Sequence, residues 1–146
     1  MPWFLSSVWV LMAWISCCAR SGSDPMRDKP AFADVAALGR KLGVQLPADT
    51  EVLGVTTESG GPDDAVFAKL RFSKDQLDEF LKRTGAIRFR AGGADVLGPD
   101  RGFWDPHRAK SLRVARVQQP SSRGLILGID QSEAKVVVIY ALNHGM

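Results

Sequence analysis

A carboxylate, an imidazole and a hydroxyl fall within seven residues of one another in this chain, as Asp105, His107 and Ser111. These are the residue types of a nucleophilic relay, in which His107 would take the proton of Ser111 while an aspartate orients the ring. A relay is defined by geometry rather than by nearness in sequence, and neither a nucleophile elbow nor an oxyanion loop accompanies these three. Their structural reading is simpler: Trp104 caps a core, Asp105 starts a turn into Pro106, and His107 stands exposed beside Arg108. No residue is therefore assigned as catalytic, and a hydrolase of unrecognised type using Asp105, His107 and Ser111 is kept as an alternative.

The same stretch suits a second chemistry better. Arg101, Phe103, Trp104, His107, Arg108 and Lys110 bring cations and rings together, as a surface for an anionic ligand or partner would. Arg88, Arg90, Arg113 and Arg116, with Phe89, could extend that surface. Gathered on one face they would also suit nucleic acid, which asks for backbone cations and stacking platforms. A cytoplasmic-facing nucleic-acid-binding domain is the second alternative, and the N-terminal segment argues against it.

Charge is unevenly spread. Arg20 to Phe80 holds 8 basic and 11 acidic residues, net −3, whereas Leu81 to Met146 holds 11 basic and 5 acidic, net +6. A positive half of this kind suits a polyanionic partner, although arginines alternating outward along strands produce the same count. With two histidines and no cysteine after Cys18, a disulfide framework, a thiol nucleophile or a transition-metal site is not expected. No cofactor is expected either: Ala91-Gly92-Gly93-Ala94 is not a phosphate-binding fingerprint. Asp63 and Asp64 sit beside two glycines and a proline and read as turn chemistry.

Pro2 to Ala19 decides the expected location. It has eighteen residues without a charge, three of the four tryptophans and both cysteines. One reading is a secretory signal, with Cys17 and Ala19 in a small-x-small cleavage arrangement. Another is a lipoprotein signal. If Cys18 is lipidated, Ile15 and Ser16 fit and Cys17 stands where glycine or alanine is usual; if Cys17 is lipidated, Trp14 stands where leucine is usual. A third is an uncleaved anchor, since eighteen residues in a helix reach about 27 Å. No lysine or arginine precedes the run, while Arg20, Arg27 and Lys29 follow it, which for an anchor would favour a cytoplasmic C-terminal domain. The expected organisation is residues 1–19 as signal or anchor, 20–29 as linker and 30–146 as one domain. The expected setting is the cell envelope or the exterior, with the membrane, anionic headgroups or an envelope protein as partner.

Periodicity then supplies the elements that position these residues. PAFADVAALGRKLGV reads as a helix with Asp28 as candidate N-cap, Phe32, Val35, Leu38 and Leu42 on one side, and Gly43 as its stop. Glu51 to Glu58 and Ala65 to Phe72 read as a hairpin, Val66, Ala68, Leu70 and Phe72 facing inward and Lys69 and Arg71 outward. Ser73 with Gln76 reads as a capping box opening a helix over 74–84 that Gly85 closes. A short strand, AIRFR, follows, and AGGADVLGPDRG is too rich in glycine to pack. Ser111 to Gln118, which carries a bulge or lies at an edge, Gly124 to Ile129 and Lys135 to Leu142 complete the strands. VVVIYAL, apolar on both faces, belongs at the centre of the sheet. The fold class is α+β: a mostly antiparallel sheet of about five strands with two helices packed on it.

The helix FSKDQLDEFL within Phe72 to Leu81, the Trp104 to Pro106 loop and the strand Val136 to Tyr140 occur in an order that resembles small secreted or lipid-anchored domains of unknown function from high-GC Gram-positive bacteria. The resemblance covers about ninety residues and rests on composition and order. It implies an exported domain and no particular activity.

Overall fold

The structure is a computed structural model that describes residues 34–59, 64–86, 88–121 and 123–145. Residues 1–33, which include the apolar run with Cys17 and Cys18, the expected linker, and Asp28 and Phe32 of the expected helix, lie outside the described residues.

The first described element is helix α1, Val35–Leu42. Its N-cap is Asp34, whose carboxylate accepts the Ala36 N–H at 2.9 Å. Strands β1, Glu51–Glu58, and β2, Ala65–Ser73, form the expected hairpin. Helix α2, Leu77–Thr84, follows a single 3-10 turn at Lys74–Gln76. The capping box does not form. Ser73 is still paired with Val136 in the sheet, so its N–H goes to the Asp49 carboxylate at 3.1 Å and its side chain caps nothing. Gly43 and Gly85 end the two helices as the sequence indicates.

Strand β3 is only Arg90–Ala91, later and shorter than AIRFR, because Ala86 is buried beneath the end of α2 and Phe89 packs back toward the same core. Strands β4, Leu112–Gln118, β5, Arg123–Asp130, and β6, Val136–Gly145, complete a six-stranded, wholly antiparallel sheet in the order β1-β2-β6-β5-β4-β3. The sixth strand is the short β3. β6 is flanked by β2 and β5, as its two apolar faces require. β4 keeps unbroken register with β5 and lies second from the edge; the bulge is in β1, between Val52 and Gly54.

The two faces of the sheet are covered differently. Leu38 and Leu42 from α1 and Leu77 and Phe80 from α2 close one face over Leu70, Phe72, Leu127 and Ile139. Gln119 and Asn143 tie α1 down: both side-chain amides donate to the Leu42 carbonyl at 2.8 Å, one of the acceptors a helix end leaves open. The other face, with Phe67, Val114, Ile126 and Tyr140, is closed by Leu97 and Trp104, both fully buried. The glycine-rich segment therefore packs. Its glycines at 92, 93, 98 and 102 take positive φ, which lets the chain double over the sheet and present Leu97 from a 3-10 turn at Ala94–Leu97. Lys69, expected to point to solvent, is consequently half-buried under this layer.

Candidate functional site

The loop from Arg101 to Lys110 is spent largely on the fold. Arg101 and Trp104 exchange backbone hydrogen bonds, and the Trp104 indole N–H donates to the Leu97 carbonyl at 3.0 Å. Its ring meets Phe67 and Tyr140 edge to face, with centroids 5.1 and 5.5 Å away. Phe103 lies against Gly54, where an added Cβ would overlap the ring. The Arg101 guanidinium pairs with Glu58 and rests 4.9 Å over the Phe67 ring.

Asp105, His107 and Ser111 have separate partners. Asp105 accepts from Lys69 Nζ at 2.5 Å and from the Tyr140 hydroxyl at 2.9 Å, an ion pair with both side chains at most a quarter exposed. Burial, reinforced by that carboxylate, raises the Tyr140 phenol far above its ordinary value, so it is a fixed donor. The His107 ring reaches Asp100 at 2.9 Å and Asp95 at 3.1 Å, and its backbone N–H donates to Asp100 at 3.0 Å. Those carboxylates, Asp100 first, raise the imidazole above its usual value. Burial works against the Asp100 carboxylate, but the bonds from the His107 backbone and ring outweigh it and hold the carboxyl below its usual range. Ser111 is exposed, and its N–H donates to Asp130 at 3.2 Å. No hydrogen bond joins any two of Asp105, His107 and Ser111, so the relay geometry is not formed here. Arg108 and Lys110 do point to solvent, with Lys110 anchored through its N–H to Asp130 at 3.3 Å.

Three further exposed cations converge elsewhere. On β3 and β4, Arg90 pairs across the ladder with Val114, which puts Arg116 diagonally beside Arg90 on the same face, with Arg88 two residues before Arg90. The side chains of Arg88, Arg90 and Arg116 are exposed and have no ion pair, hydrogen bond or ring contact among the described residues. They rim a groove of about 490 Å³ whose floor is Gly92, Gly93, Val96 and Val114. Arg116 also borders a second hollow of about 330 Å³, which runs past Gly124 and Ile126 to His144. Arg113 alternates to the opposite face and lies over the Phe89 ring at 5.5 Å. In the sequence Arg88, Arg90 and Arg116 stand apart as separate cations, and only the β3–β4 pairing shows that they converge.

Among the described residues, no group of three or more His, Cys, Asp or Glu side chains is placed to hold a metal ion, and no helix is long and apolar enough to cross a membrane. No family model matches the chain, and neither does any curated protein or solved structure.

Proposed function

We propose that this is an exported or membrane-anchored domain of the cell envelope that works by binding an anionic partner, with the groove of Arg88, Arg90 and Arg116 as its binding surface. The location rests on the uncharged run Pro2 to Ala19 with its two cysteines. The binding role rests on one contrast. Arg101 and Lys69 are neutralised and packed, whereas three neighbouring arginines share a concave face with no acid among them. Clustered like charges destabilise a fold, and a site that gathers them without neutralising them favours a ligand of opposite sign. Guanidinium groups match this role, since their planar donors address carboxylate or phosphate two at a time.

The mass of the chain's N-terminus, measured on protein from native cells, tests the location. Cleavage after Ala19, a lipid on Cys17 or Cys18, or an intact leader recovered with membranes supports it. Recovery of the whole pool as soluble cytosolic protein with residues 1–19 intact sinks it.

A further inference from the structure

Building on the binding role proposed above, we infer that the groove takes the phosphate headgroup of an anionic lipid rather than a free phosphate ion. The cations alone would suit either. What separates the two is Val96, the large hydrophobic side chain left exposed among the described residues, at 37 %. It lies in the groove with the three unpaired arginines, beside Val114 and the side-chain-free backbone of Gly92 and Gly93. An apolar floor under a guanidinium rim complements an amphiphile, whose phosphate meets the arginines while its glycerol and first methylenes cover the valines. An inorganic anion would leave that floor wet. The groove also stands at the edge of the sheet, on the short, two-residue strand β3.

The test uses the full chain in zwitterionic detergent micelles and follows the amide NMR signals of Gly92 and Gly93. Dihexanoyl phosphatidylglycerol, dihexanoyl phosphatidylcholine and inorganic phosphate are titrated separately. The expected result is saturable shifts with the phosphatidylglycerol, none with the phosphatidylcholine, and at least about tenfold weaker binding of inorganic phosphate. Arg116→Gln should weaken the phosphatidylglycerol titration roughly fivefold, and Arg88→Gln/Arg90→Gln/Arg116→Gln on the order of 100-fold. Equal response to the two lipids, or inorganic phosphate binding as tightly as phosphatidylglycerol, overturns the lipid assignment. Should the triple variant lose its dispersed spectrum, the single variant decides, and an unchanged titration there overturns it too. None of these outcomes depends on where the leader takes the protein, which the N-terminal mass decides by itself.

Discussion

Arg101 in the loop from Arg101 to Lys110 and the three arginines of the groove along β3 and β4 carry the same charge and have opposite fates. In the loop, Arg101 finds Glu58 and the Phe67 ring, His107 is bracketed by Asp95 and Asp100, and Trp104 plugs the second face of the sheet. In the groove, Arg88, Arg90 and Arg116 are left to solvent around an apolar floor. Basic composition alone does not mark a binding surface.

The largest effect that would sharpen this contrast belongs to the loop. Trp104→Ala removes a fully buried ring with two aromatic contacts and an indole hydrogen bond, and should cost about 3 to 5 kcal/mol in denaturant unfolding. A loss below about 1 kcal/mol would mean that the loop is not a structural plug. Next comes Asp105→Ala, which strands Lys69, 17 % exposed, together with the Tyr140 hydroxyl; about 2 kcal/mol is expected, and less in Lys69→Met/Asp105→Ala, where neither charge remains.

A smaller, pH-dependent effect concerns His107. Its folded value lies above the ordinary 6.5, so its contribution is complete below that pH and disappears as pH rises through the raised value. Asp100 is shifted the other way, so its share is present above its ordinary 3.8 and is lost as pH falls through the lowered value. The Tm difference between the protein and His107→Gln should therefore be widest between about pH 4 and pH 6.5 and close toward alkaline pH. A difference that is flat with pH would leave His107 without its acidic clamp. The smallest stability effect is expected for Arg88→Gln/Arg90→Gln/Arg116→Gln: within about 0.5 kcal/mol of the parent, or slightly more stable, because the substitutions relieve repulsion and break no pair.

Much of the scaffold was readable from local pattern. The alternation of Val66, Ala68, Leu70 and Phe72, the two-faced run in β6 and the end signals around α2 each reflect interactions within one element or with a broad core, which periodicity records. Pairings between distant residues were not readable. Lys69 meets Asp105 and Arg101 meets Glu58 only because β1 and β2 run beneath the Trp104 layer, and nothing near either residue in sequence announces it. The glycine-rich segment misled for a related reason: its glycines read as slack, yet their positive φ is what folds Leu97 onto the sheet. Arg88, Arg90 and Arg116 were visible as cations, but their convergence depends on the register of β3 against β4.

Arg101→Gln and Arg116→Gln, compared in one experiment, test the division between loop and groove most directly. Each removes a single positive charge, so any effect of net charge is common to both. With the Gly92 and Gly93 amide signals followed during a phosphatidylglycerol titration, the expected result is a midpoint shifted roughly fivefold in Arg116→Gln and unchanged in Arg101→Gln. Equal shifts, or a larger one in Arg101→Gln, would contradict the assignment of the groove as the binding surface.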